Sequence, residues 1–287
     1  MTQVINYALH LIKSGQPAYY VSTNELSEEN GRHLASTWAD YIRIDFEHGP
    51  LDLVGLKSFM IGLRAEADER GSQIPAVIPE LPFPGHDLNT VRANGWIIRQ
   101  ILALGVHGLI LCHAESSDAV HQVLKEARYP LNATVEKMDM QGLRGHGGEK
   151  FASRMWKIEP SEYIEQADFY PLNPSGQLIL GVKMENPRAA QKCEEIAGVP
   201  GVFFGEWGLG DMSLSFGFTE RPSFPLPKPL EDIRKRIWNA CKENGVHFLG
   251  ISNAGNIKEN IDNGMMMIRC YEMDAVDVGK EYTKRGR

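Results

Sequence analysis

The chain has 287 residues, 43% of them hydrophobic and 23% charged, with a formal net charge of −7. That apolar content excludes a disordered chain, and the acidic balance argues against nucleic-acid binding, which needs a basic face. No apolar run approaches the ~20 residues of a membrane span, and no basic-then-apolar leader opens the chain, so no membrane association is expected. Taken in chain order, eight short apolar runs read as strands: 18–22, 41–45, 74–78, 108–112, 178–184, 201–205, 246–251 and 265–271. Amphipathic stretches at 94–104, 118–127, 187–197 and 230–244 read as helices between them. Near-continuous apolar strands alternating with helices indicate a parallel sheet buried on both faces. No linker or repeat divides them. The expected fold is therefore a single α/β domain over 1–287, a closed (β/α)8 TIM barrel. A doubly wound open sheet is the runner-up, but no GxGxxG follows the first strand.

Two connections, near 79–93 and 130–175, are long for plain loops and are expected as insertions on the C-terminal rim, where such barrels keep their chemistry. The four cysteines, Cys112, Cys193, Cys241 and Cys270, form no CxxC, which points away from disulfides or structural zinc and toward a reducing cytoplasm. MMMIR (265–269) reads as a barrel strand, Cys112 as a small buried hydrophobe, and KRGR (284–287) as a solvated tail.

Polar residues at strand ends are the candidates for chemistry. The second strand ends YIRIDFEHGP, with Asp45, Glu47 and His48 within four positions. A carboxylate beside an imidazole suits a histidine general base; the alternative is a helix-capping Asp45 and a loop His48. In LILGVKMEN, strand alternation puts Lys183 and Glu185 on one face. Two such charges on a buried strand are costly unless a cation, a substrate or each other meets them. GVFFGEWGLGDMSLSFG runs from a strand through a Gly-rich turn to Asp211, where backbone amides can cradle an anion beside a carboxylate. Together, Glu185 and Asp211 would form a two-carboxylate site for a hard divalent ion, with His48 and Asp45 as the base. That combination fits enolate chemistry on a small 2-oxo acid.

On these segments the sequence resembles the HpcH/HpaI aldolases, metal-dependent pyruvate aldolases of the wider citrate-lyase/phosphoenolpyruvate superfamily. DFEHGP (45–50), GVKMEN (181–186), GVFFGEWGLGDMSLSFG (201–217), and ALGVHGLIL (103–111) with EARYP (126–130) carry the likeness. The resemblance implies that Glu185 and Asp211 bind Mg²⁺, Mn²⁺ or Co²⁺, that His48 and Asp45 move protons, and that amides around Gly210 hold the pyruvate carboxylate. It also implies a cytoplasmic class II aldolase that joins a 2-oxo acid to an aldehyde, or cleaves the 4-hydroxy-2-oxo acid product. A homo-oligomer, trimer or hexamer, would be usual. Departures are specific. Ile78 stands where the third strand usually ends in a substrate-binding arginine, and Arg92 is a candidate replacement. Lys183 takes the place of a glutamine, which leaves open a Schiff-base lysine mechanism. A third reading is a non-catalytic barrel that binds metal and 2-oxo acids. His86, His113, Glu115, Arg144 and His146 are further polar residues of the expected rim.

Overall fold

The computed structural model describes residues 4–131 and 141–285. Eight parallel strands close in chain order: β1 (Ala18–Thr23), β2 (Tyr41–Asp45), β3 (Ala76–Glu80), β4 (Gly108–Leu111), β5 (Ile179–Lys183), β6 (Val202–Glu206), β7 (His247–Ile251) and β8 (Met265–Arg269), with β8 pairing back onto β1. Before and between them run α1 (Tyr7–Lys13), α2 (Glu28–Ala35), α3 (Leu53–Arg70), α4 (Leu88–Leu102), α5 (Ser117–Ala127), α6 (Glu149–Trp156) and α7 (Pro160–Gln166). The second half adds α8 (Pro187–Gln191), α9 (Cys193–Ala197), α10 (Leu209–Ser215), α11 (Lys228–Glu243), α12 (Ile257–Asp262) and α13 (Met273–Tyr282). The expected TIM-type barrel is what forms.

Two-residue alternation divides the apolar side chains into two cores. Inside the barrel lie Tyr20, Tyr41, Ile78, Ile110, Phe204 and Met267, closed from below by Leu9 and Ile12 of α1. Between barrel and helices lie residues of the opposite phase, such as Ile42, Ile44, Val77, Leu109 and Val182. Gly181 faces inward because a Cβ there would strike the Phe204 ring.

Four expectations change. The third strand sits two residues later than the apolar run suggests: Pro79 pairs with Ile44 and Glu80 with Asp45, so β3 continues to Glu80. The 79–93 connection is correspondingly short, because Asp87 accepts from the amides of Asn89 and Thr90 and starts α4 at Leu88. Of the insertion expected at 130–175, residues 132–140 lie outside the described residues, and 141–175 are not on the catalytic rim. They follow α5, which has already carried the chain back to the N-terminal face. There Trp156 donates to the Gly105 carbonyl at 2.8 Å and stacks on His107, while Asn6 bonds the carbonyls of His107 and Gln177. The tail is likewise not solvated at Arg285, which pairs with buried Asp40. Among the described residues, no helix is long and apolar enough to cross a membrane.

Candidate active site

Above the apolar layers of the barrel, the next inward positions of four strands are charged: Arg43 of β2, Glu80 of β3, Lys183 of β5 and Glu206 of β6, the first three buried and Glu206 nearly so. Four ions in one barrel layer are tolerable only if they pair. Arg43 bonds Glu80 on one side, reaches Glu206 at 2.9 Å on the other, and donates to the Tyr20 hydroxyl at 3.1 Å. Lys183 Nζ lies 3.4 Å from Glu80 and 2.5 Å from Glu47, and 3.0 Å from Glu185. Burial alone would lower the Lys183 pKa. With Cys112 kept a neutral thiol by its own burial, the carboxylates Glu206 and Glu185 outweigh that effect and raise it. The ammonium is therefore charged, and the Schiff-base reading of Lys183, which needs a free amine, loses its support.

The carboxylates meet one step nearer the mouth. Glu47, His113, Glu185 and Asp211 each place one donor atom within 4.8 Å of all the others. His113 has a left-handed backbone (φ 45°), sparsely used by non-glycine residues, and its Nε2 lies 3.2 Å from Glu47 Oε1. Its amide donates to Glu185 Oε1 at 2.8 Å. Burial would raise the Glu47 carboxyl, but His113 and Lys183 hold it well below the usual carboxylate range. Glu185, fully buried, is pushed up, chiefly by desolvation and despite Lys183. Its Oε2 has an ion pair with Lys183 but no hydrogen bond, and a Cβ at Gly208 would run into it. An under-bonded buried carboxylate oxygen, a second carboxylate and an imidazole are the donor set of a divalent-cation site.

His48 and Asp45 are also together. The His48 amide donates to Asp45 Oδ1 at 2.9 Å, and its Nδ1 lies 3.1 Å from Oδ2. Asp45 does not cap the next helix; Asp52 does. Both Asp45 and His48 line a cavity of about 610 Å³ that also contains Lys183, Glu185, Gly210 and Asp211. A second cavity of about 550 Å³ adjoins it at His48 and Asp211. Glu115 organises that side, pairing Arg188 through two bonds, Asn186 at 2.8 Å and His86 at 3.4 Å.

Other candidates lie elsewhere. Arg92 is exposed on α4 and lines neither cavity, because the helix begins earlier than expected and carries it away from the mouth. Ile78 belongs to the apolar interior, and the guanidinium at this level comes from Arg43, its register partner on β2. Arg144 is buried against Tyr129 and Tyr163, and His146 is exposed beside Glu149, both outside the two cavities. Arg43, Glu80 and Glu206 were not among the sequence candidates. The alternation that singles out Lys183 and Glu185 would also have flagged Arg43.

The homologues of this chain are aldolases, that is, carbon–carbon lyases. It is 26% identical over 206 residues to hydroxypyruvate/pyruvate aldolase of Delftia acidovorans, covering 72% of this chain and 64% of that protein, just under two thirds of its length. It is 29% identical over 211 residues to 4-hydroxy-2-oxovalerate aldolase of Rhodococcus jostii, covering 72% and 67%. A solved HpcH/HpaI aldolase/citrate lyase family protein from Burkholderia cenocepacia shares the fold, with a TM-score of 0.71 at 20% identity over 97% of both chains. No protein-family model matches the chain.

Proposed function

We propose that this protein is a divalent-metal-dependent class II aldolase that cleaves, or forms, a 4-hydroxy-2-oxo acid from pyruvate or a related 2-oxo acid and an aldehyde. The observation that carries the reading is the convergence of Glu47, His113, Glu185 and Asp211 within 4.8 Å, beside the paired His48 and Asp45. Glu185 and Asp211 would hold Mg²⁺, Mn²⁺ or Co²⁺, flanked by Glu47 and His113. When bound, such an ion supplies electrostatic stabilisation for charge developing on the 2-oxo group.

The chain's own residues do the rest. Asp45 fixes the His48 imidazole through Nδ1 and would stabilise its charged form. In cleavage, His48 takes the proton from the C4 hydroxyl, the C3–C4 bond breaks, and its electron pair passes to the 2-oxo acid fragment. Lys183 and Arg43, which line the same cavity in ion-paired form, would lie beneath that fragment. The amides at Gly210 and Asp211 are the groups that would orient its carboxylate. The aldolase names of two relatives support the same reading.

Exchange of pyruvate methyl protons with D₂O, followed by NMR with and without Mg²⁺ or Mn²⁺, is the test. Metal-dependent exchange is expected, with Glu185→Gln and Asp211→Asn losing both exchange and tight divalent binding by calorimetry. Metal titrations like wild type in both variants would overturn the site. The four cysteines are free and buried, which suits a reducing compartment such as the cytoplasm. A homo-oligomer, trimer or hexamer, is also part of this proposal. Leu214, Phe224, Tyr271 and Met273 are exposed apolar residues that an interface could cover. A monomeric mass at micromolar concentration in light scattering would refute it.

A further inference from the structure

Five cationic side chains line the larger cavity: Arg43, Lys183, Arg221, Arg234 and Arg269. Three are neutralised where they stand. Lys183 is paired with Glu47 and Glu185, Arg43 with Glu80 and Glu206, and Arg234 with Glu231 through bonds of 2.9 and 2.8 Å. Arg269 and Arg221 are different. Among the described residues, neither has a carboxylate within 4.0 Å.

Arg269 is nevertheless held in position, and Arg221 is packed against a turn. Arg269 ends β8 in register with Tyr20, and its guanidinium lies 4.7 Å from the Tyr271 ring centroid and 5.9 Å from that of Tyr20. Aromatic faces orient a guanidinium without cancelling its charge. Arg221 lies flat against the backbone of Gly210, where a Cβ would stand 3.0 Å from Nε and Nη2. Ser22 and Thr23 at the end of β1, and Asn24 just after it, add neutral hydrogen-bonding groups to the same cavity. In the closed strand order β8 lies three strands from β5, so Arg269 stands away from Glu185, at the far part of the mouth.

Cavity-lining cations without a counter-ion among the described residues, Arg269 across the mouth from Glu185 and Arg221 against the Gly210 turn, have a consequence for the aldehyde. We propose that the acceptor half of the substrate carries its own anionic group, a carboxylate or a phosphate, and that Arg269 and Arg221 are the residues that select it. The inference rests on the aldolase reading and adds the chemical class of the acceptor. Guanidinium forks match either oxyanion bidentately, and both sources share that chemistry.

The test pairs acceptors that differ only in charge, with pyruvate as donor: succinic semialdehyde against butanal, and glyceraldehyde 3-phosphate against glyceraldehyde. At least one anionic acceptor is expected to exceed its neutral counterpart tenfold or more in kcat/KM, and the better of the two names the group. Arg269→Gln should reduce that ratio at least tenfold through the KM for the acceptor, and Arg269→Lys should restore part of it. Arg221→Gln should act in the same direction and serves if Arg269→Gln does not fold. Equal kcat/KM for charged and neutral acceptors in the wild type would overturn the proposal. So would a ratio unmoved by both Gln variants, or an effect on the KM for pyruvate in place of the acceptor. An equal fall in His86→Ala would move the anionic group to the second cavity and also overturn it. Proton exchange by the wild type in D₂O separates the two readings. Exchange without charge preference sinks the acceptor inference alone, whereas absence of exchange sinks both.

Discussion

His48 is set apart from the other charged groups of the barrel mouth by its access to solvent, with its side chain 60% exposed while Lys183 and Glu185 are at 6% and 1%. A buried, paired ion holds a field; a group that must take up and release a proton needs a path to water or substrate. His48→Ala is therefore expected to lower kcat by about 10²–10⁴-fold, roughly 3–5 kcal/mol of barrier, with divalent binding little changed. Asp45→Asn should act by the same route, since it removes the charge opposite the imidazolium. Steady-state kinetics with metal occupancy measured separately checks both. A near-normal kcat in His48→Ala would move the proton-transfer role to His113, whose Nε2 lies against Glu47 and whose pKa is raised by that hydrogen bond.

Elements explain what could and could not be read ahead of the structure. Strand-forming runs are short, apolar and regularly spaced, so the barrel and the strand ends carrying Asp45, Lys183 and Glu185 follow from periodicity alone. Glu80 escapes that reading because PELP looks like a loop, yet Pro79 stays within β3, paired with Ile44, and Glu80 comes to lie beside Lys183. Direction matters too. The Gly-, His- and Arg-rich stretch at 142–150 looks functional, but the helix read at 118–127 stands between it and β4 and carries the chain to the opposite face, so length and composition mislead about which rim it joins. The C-terminal element shows the same limit. KRGR looks solvated, but after α13 docks through Ala275, Val276 and Gly279, Arg285 reaches Asp40, which also accepts from the Tyr19 amide at 2.9 Å. Breaking one side of such a pair strands the other charge. Asp40→Asn is expected to cost about 3 kcal/mol in denaturant unfolding. A loss below ~1 kcal/mol would mean that the tail contributes only a surface-grade contact.

The molecule as a whole is expected to lose stability as pH falls through the weakly acidic range, and the cause is buried histidine. His107 stands just before β4, fully buried, stacked on Trp156 at 5.9 Å. Its Nδ1 accepts the Val77 amide proton at 3.0 Å, which fixes the neutral ring. Burial, with a smaller contribution from Arg64, lowers its pKa from 6.5 to about 3. A base whose folded pKa is depressed makes the unfolded chain the better proton acceptor, so stability is full above pH 6.5 and drains away below it. The slope reaches about 1.4 kcal/mol per pH unit for one such group. His121 and His247 are shifted the same way by burial, whereas His113, raised by Glu47, opposes them. Depressed carboxylates such as Glu194, at about 2, begin to lose their contribution only near the ordinary carboxylate value of 4.5. The range from pH 6.5 to 5 therefore reports mainly on histidine. Thermal melts across it should show the wild type falling faster than His107→Asn, whose amide oxygen can still accept from Val77 but binds no proton. The variant should begin less stable at pH 7.5, and the gap should narrow with acid. Parallel curves would show that His107 protonation does not govern the acid limb.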